Sequence, residues 1–367
     1  MSHRSHNFSA GPAVLPLSVI EQLQNALPNY QNIGLGLMEM SHRSPEFDAI
    51  IDSAIQRMKR LLSIPEGYAV LFLQGGASLQ FYMTALNLLG PNDSAAYINT
   101  GTWATNAIKE ASRCAKVHTV WKPTDGVFRS VPTDDQYTVP EDAQYLHYTS
   151  NNTIFGTQFH HTPHSDKPLI ADLSSDICSR PVDISKHALL YAGAQKNLGP
   201  SGVTAVILSP WALERSKLVH TLRAGGLPSM LNYALMADNN SMYNTPNTFG
   251  IFALDCMLGW IEEQGGITGM ERINQNKAKL IYDVLDSSNF WDPHAEKTSR
   301  SLMNITWRLT NSALEKEFLV QAEKHDLKGL KGHRSVGGVR ASIYNACPTE
   351  SVQALVDFMK DFESTHG

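Results

Sequence analysis

The sequence predicts an α/β protein: a large domain built on a mainly parallel central sheet flanked by helices, then a smaller α+β C-terminal domain. Three observations carry this. Short, nearly continuous apolar runs such as AVLFL (69–73) and VTAVIL (203–208) alternate with stretches of helical period, the pattern of strands buried on both faces. After about residue 245 the rhythm changes to two long helices followed by alternating strands and helices. A length of 367 residues exceeds what one small core organises.

Residues 1–16 are turn-rich, with Gly11-Pro12 and Pro16, and read as an arm. A helix is expected over Leu17–Ala26 and another over 47–62, stopped by Pro65-Glu66-Gly67. Ala69–Leu73 reads as a strand, Gly75-Gly76 as a turn and Leu79–Leu89 as a helix, which Gly90-Pro91-Asn92-Asp93 ends. Ala95–Asn99 and Trp103–Ser112 repeat the strand–helix unit, and further strands are expected at 117–121, 145–149, 168–172, 188–192 and 203–208. Helices follow at 249–263 and Ile267–Leu285, separated by Gly265-Gly266; then a strand (303–309), a helix (312–325), a strand (339–344) and a last helix (349–362). The expected division is an arm (1–16), a large domain (17–260) and a small domain (261–367), joined through the long helix.

The charge balance narrows the partners. A net charge of -5 provides no overall basic field for nucleic acid or an anionic membrane, so any anion site must be local. The four cysteines, Cys114, Cys178, Cys256 and Cys347, are widely spaced and form no C-x-x-C. Reduced thiols in the cytoplasm are the expected state. The opening residues contain no apolar secretory core, and no apolar run approaches the ~20 residues of a membrane span.

The chemistry gathers around Lys196. Asp172 ends the apolar strand PLIAD, and Lys196 follows ALLYAGAQ at the end of another. Ligands of parallel sheets bind at carboxyl ends of strands, so an acid and an amine there can face one molecule. Pyridoxal phosphate (PLP) needs both: an amine to bind its aldehyde and a carboxylate to keep its pyridine nitrogen protonated. The lysine must be desolvated, because an unperturbed pKa of ~10.4 leaves little free amine at neutral pH. Ala192, Gly193, Ala194, Gly199 and Gly202 would let a flat ring approach the backbone. Gly75-Gly76-Ala77-Ser78 opens a helix, where backbone N–H groups make an anion seat. Trp103 is placed to stack on the ring, and Thr153 to bond its oxygen. Read singly, these are a surface lysine, a helix cap, a turn, a core tryptophan and a turn threonine. Their order along one chain argues for a shared site.

The chain also resembles the phosphoserine aminotransferases, class V aminotransferases of PLP fold type I. The resemblance runs nearly end to end, through NFSAGPAVLP (7–16), MEMSHRSPEF (38–47), LFLQGGASLQF (71–81), ADLSSDICSRPVD (171–183), YAGAQKNLGPSG (191–202), MYNTPNT (242–248) and KGHRSVGGVRASIYNA (331–346). It implies that Lys196 carries the cofactor as a Schiff base, with Asp172 on the pyridine nitrogen, Trp103 on the ring face and Thr153 on the 3-hydroxyl. Gln195, Ala77 and Ser78 would hold cofactor groups or the phosphate. Asn244 and Thr245 would reach that phosphate from the other subunit of a homodimer. Ser9, Arg43 and Arg340 would contact substrate, with His42, His333 and Arg334 close by. The implied reaction moves an amino group from L-glutamate to 3-phosphohydroxypyruvate, giving O-phospho-L-serine and 2-oxoglutarate in serine biosynthesis. A related four-carbon reaction, giving 4-phosphohydroxy-L-threonine for PLP synthesis, belongs to some members.

Both substrates carry two separated anions, which calls for two anion sites: Arg340 as a fork on the α-carboxylate, and Arg43, His42, His333 and Arg334 on the distal group. Some members have an arginine where this chain has Ser78, so here the distal phosphate depends more on the other four. The alternatives are another enzyme of the fold type, such as an alanine/serine–glyoxylate aminotransferase or a cysteine desulfurase, or a non-catalytic PLP-binding protein. No cysteine lies in a glycine-rich loop, and Lys196 and Asp172 are both present. His160-His161-x-x-His164 sits in a proline-containing loop, with no helical i,i+4 pair and no cysteine partner, so no metal is expected. Gly34-Leu35-Gly36 lacks the third glycine of a dinucleotide turn. The Lys and Glu residues of 271–283 read as a solvated helix face.

Overall fold

The computed structural model describes residues 3–367. Seven strands pair into one sheet: β1 (Ala69–Leu73), β2 (Ser94–Ile98), β3 (Lys116–Trp121), β4 (Ala143–Thr149), β5 (Leu169–Asp172), β6 (His187–Gly193) and β7 (Thr204–Leu208). Their spatial order is β1-β7-β6-β5-β4-β2-β3. β2 to β6 pair in parallel with their neighbours among themselves and with β3, whereas β7 runs antiparallel to both β1 and β6. The mixed direction follows from the short link after β6, which leaves no room for the crossover that parallel strands need.

Helices cover both faces. α1 (Leu17–Ala26) and α2 (Pro45–Leu62) precede the sheet, and α3 (Gly76–Leu88) and α4 (Thr102–Ala111) follow β1 and β2. α5 (Pro210–Leu222), α6 (Tyr233–Asp238), α7 (Thr248–Glu263) and α8 (Gly266–Leu285) come after β7. α2 starts as its sequence instructs: Ser44 accepts from the Phe47 N–H, Pro45 opens the first turn and Glu46 and Asp48 face the positive helix end. Its apolar stripe, Phe47, Ile50, Ile51, Ala54, Met58 and Leu62, shares one core with Ile251, Leu254 and Leu258 of α7 and with one sheet face. α3, α4, α5 and α6 close the opposite face. α5 and α6 are additions to the sequence reading. The apolar residues of α5 are spread around the helix, so only Ser209 as cap, accepting from the Ala212 N–H at 3.2 Å, and Pro210 mark its start.

α8 links two cores. Ile267 and Met270 belong to the core beneath the sheet, whereas Ala278, Ile281, Val284 and Leu285 belong to a second one. That second core contains a three-stranded antiparallel sheet, β8 (Trp291–Pro293), β9 (Asn304–Leu309) and β10 (Val339–Ser342) in that order, with α9 (Glu315–Lys324) and α10 (Thr349–His366). The N-terminal arm is built into it. His6–Asn7 pairs in parallel with Leu327–Lys328, and Phe8 is fully buried there.

One expectation fails on α8. Lys279 and Asp283 do form an exposed pair at 2.6 Å, but Lys277 is fully buried. It shares a face with Asn274, Ala278 and Ile281, all buried, so helical geometry turns it inward despite its charge.

Candidate active site

The carboxyl ends of β4, β5 and β6 open into a cavity of about 330 Å³ between the two cores. Register decides what faces it. Thr149 on β4 is opposite Asp172 on β5, which is opposite Tyr191 on β6. Lys196 lies three residues past the end of β6 rather than in the strand, in a turn held by the Leu198 N–H to Ala194 O bond at 3.0 Å. Lys196 and Asp172 line the same cavity, together with Trp103, Thr153, Gln195 and Arg340. The pairing read from strand ends is therefore a pairing in space.

The amine is prepared for covalent chemistry. Its Nζ donates to Thr153 Oγ1 at 2.8 Å and lies 6.0 Å from the centre of the Trp103 ring. Burial brings its pKa down to about 8; the Asp172 charge works against that shift and Arg340 with it. Asp172 is buried, and burial raises its carboxyl pKa, countered by Ser174 and by Lys196. Asp172 Oδ1 accepts from the Ser174 N–H at 2.9 Å. Below about pH 8, the rate at which the cofactor-free protein captures an aldehyde should rise about tenfold per pH unit and then level off. A rate still climbing at about pH 10, as for an ordinary lysine, would contradict a desolvated Lys196.

The anion end is the first turn of α3. Gly75 and Gly76 have φ of 94° and 68°, a region costly for other residues. A Cβ on Gly75 would collide with the Leu79 side chain, while one on Gly76 would meet nothing within 4 Å. Gly76, Ala77 and Ser78 line the cavity, so helix N–H groups border the open space. On the opposite side Arg340 of β10 is half-buried, its Nη1 donating to Thr153 O at 3.2 Å.

These residues fit PLP. Among the described residues, Trp103 Nε1, Thr149 Oγ1 and Arg340 Nε are buried without hydrogen-bond partners, and such groups each cost about 1–3 kcal/mol unless something meets them. A phosphorylated, hydroxylated ring presents acceptors of that kind. The amine, the buried carboxylate and the helix N-terminus bordering the cavity match its aldehyde, ring nitrogen and phosphate.

The other expected residues are distributed differently. His333 lines both this cavity and a neighbouring groove, its Nδ1 2.7 Å from Ser335 Oγ. Burial, with Arg340 and Arg334, lowers its pKa. Arg334 lines only the groove. Ser9 is half-buried beside Gly329, and its neighbours Ala10 and Gly11 reach the cavity instead. His42, Arg43, Asn244 and Thr245 do not line the cavity. Arg43 and Thr245 are exposed, and Thr245 O accepts from Gln74 Nε2 at 3.3 Å, outside the anion turn. Thr149, Asn151, Ser174 and Ser175 are lining residues the sequence reading missed. Only the strand register that sets Thr149 opposite Asp172 brings them in. His160, His161 and His164 face different partners: Arg300 O at 2.9 Å, Asp134 at 3.7 Å and Asp166 at 3.9 Å.

The family model for aminotransferase class V matches residues 5–355. A phosphoserine aminotransferase of Geobacillus kaustophilus is 51% identical over 360 residues, 98% of each chain. The solved phosphoserine aminotransferase of Bacillus circulans subsp. alkalophilus superimposes with a TM-score of 0.94 at 47% identity, covering 100% of both chains. The PLP-bound phosphoserine aminotransferase of Trichomonas vaginalis gives 0.92 at 37% identity, over 97% of this chain and 100% of that one. On fold and sequence together, the chain belongs to the class V aminotransferases, among the phosphoserine aminotransferases.

Proposed function

We propose that the protein transfers the amino group of L-glutamate to 3-phosphohydroxypyruvate, yielding 2-oxoglutarate and O-phospho-L-serine with PLP as cofactor. The observation that carries this is the desolvated Lys196 amine in one cavity with the buried Asp172 carboxyl and an arginine. PLP, when bound, supplies the aldehyde that takes up the amino group and a ring that accepts electron density. The protein supplies the rest. Lys196 gives the amine that binds the aldehyde. Once displaced by substrate, the same Nζ would be the base that takes the Cα proton. Asp172 would keep a proton on the ring nitrogen, and Thr153, bonded to the Lys196 amine, would steady it when free. Arg340 grips the α-carboxylate by two N–H groups and fixes the direction of the Cα–H bond.

The distal phosphate or carboxylate falls to His333 and Arg334 of this chain and to a second copy. A homodimer with shared sites is supported by exposed Met230, which lines one pocket with Asn244, by exposed Tyr243 in the same segment, and by exposed Met38, four residues before His42. His42 Nε2 is itself buried without a hydrogen-bond partner among the described residues. The four cysteines are free, which suits a cytoplasmic enzyme, and among the described residues no helix is long and apolar enough to cross a membrane.

Rates with 3-phosphohydroxypyruvate and with pyruvate as acceptors test this reading. Two anion sites predict kcat/KM at least about a hundredfold higher for the phosphorylated acceptor, the equivalent of one well-made charged contact. Equal values would instead favour a glyoxylate- or pyruvate-type aminotransferase.

A further inference from the structure

The reaction above uses Lys196 and leaves the buried Lys277 unexplained. Lys277 has no exposed surface, and burial lowers its amine pKa to about 8. Among the described residues no carboxylate pairs with it. Its Nζ instead lies 3.0, 2.7, 3.4 and 3.1 Å from the carbonyl oxygens of Ile343, Tyr344, Asn345 and Cys347. All four belong to the turn that follows β10. An uncompensated buried ammonium is costly, and it persists here because a single wound turn aims four carbonyls at one point. One helical turn earlier, Asn274 Nδ2 donates to Asn345 Oδ1 at 2.8 Å and to Ser179 O at 3.2 Å.

That turn reaches Lys196 from two sides. The Asn345 N–H donates to Asn197 Oδ1 at 3.0 Å, and Asn197 Nδ2 donates to Ile177 O at 3.0 Å, which holds the residue next to Lys196. The Tyr344 hydroxyl donates to Ala10 O at 2.8 Å. The neighbouring Gly11 lies against the lysine stem, its Cβ position 3.6 Å from Lys196 Cγ. We infer that Lys277 is a positioning residue for Lys196, acting through the 343–347 turn on Asn197 from one side and on the Ala10–Gly11 arm from the other. The inference rests on Lys196 being the lysine that bears the cofactor.

The test compares wild type with Lys277→Met, Asn197→Ala and Tyr344→Phe. In the cofactor-free proteins, Lys277→Met should speed hydrogen exchange at the amides of Asn345 and Leu198 while leaving the central strands β5 and β6 unchanged. In the PLP-loaded proteins the visible circular dichroism per bound cofactor should fall. With it kcat should fall about tenfold or more, while the KM for glutamate changes less than about twofold. If Lys277→Met does not fold, the other two variants, each removing one contact of the turn, decide by the same dichroism and kcat. Wild-type dichroism and kcat in folded, loaded variants would overturn the inference. If wild type carries no cofactor on Lys196, the proposed function fails instead, and exchange in the cofactor-free protein still decides whether Lys277 holds the Lys196 turn.

Discussion

The Lys196→Ala variant is expected to lose transamination by at least about 10³-fold, within the range by which positioned proton-transfer groups accelerate reactions. Two contributions vanish together: the amine that captures the cofactor and the base that moves the Cα proton. The fold should survive. Lys196 makes one side-chain hydrogen bond, to Thr153 Oγ1, and replacing a desolvated amine removes a cost as well as a contact. Single-turnover kinetics with an added small amine would separate the two losses. Partial recovery of the rate is expected as the amine takes over proton transfer. A variant within about tenfold of wild type would show that Lys196 is not the base.

Asp172→Asn should be the second most damaging exchange. The side chain is nearly the same shape, and its Oδ1 can still accept from the Ser174 N–H. What disappears is the negative charge that would face the ring nitrogen of bound cofactor. Loss of a preorganised electrostatic group of this kind costs about 10²–10³-fold in kcat. A second effect has a definite sign. Asp172 is the group that most strongly favours the charged form of Lys196. Without it the ammonium is less stable, so the pH at which the cofactor-free protein reaches half its maximal capture rate should move below about 8. Steady-state kcat and the pH profile of capture measure both. Unchanged kcat with an unmoved profile would remove Asp172 from the site.

The parts of this site that could be read from the sequence are those where local chain geometry decides. Asp172 and Lys196 were legible because strands announce their own ends, and residues at carboxyl ends of neighbouring parallel strands converge. The Gly75-Gly76 turn was legible because few other residues adopt its φ values. The charge of Lys277 points to solvent, but the helical period overrides it. Asn274, Ala278 and Ile281 around it already marked an inward face. Thr149 and Asn151 could not be found without the register of β4 against β5, which no single segment encodes. The antiparallel β7 escaped for a similar reason: a strand buried on both faces has the same apolar run in either direction. Arg43, His42, Asn244 and Thr245 were named through resemblance alone, and they lie where one copy of the chain does not bring them into the cavity.

The central claim is that Lys196 is the lysine that binds the cofactor, and the chain offers a real competitor. Lys196 and Lys277 both have amines lowered to about 8, but only Lys196 lines the cavity, while Lys277 is enclosed by four carbonyls. Borohydride reduction of the PLP-loaded protein, followed by proteolysis and mass spectrometry, distinguishes them directly. The account predicts one phosphopyridoxyl group per chain, on the peptide that contains Lys196. Recovery of the label on the Lys277 peptide, or an unlabelled Lys196 in a protein saturated with cofactor, would contradict it.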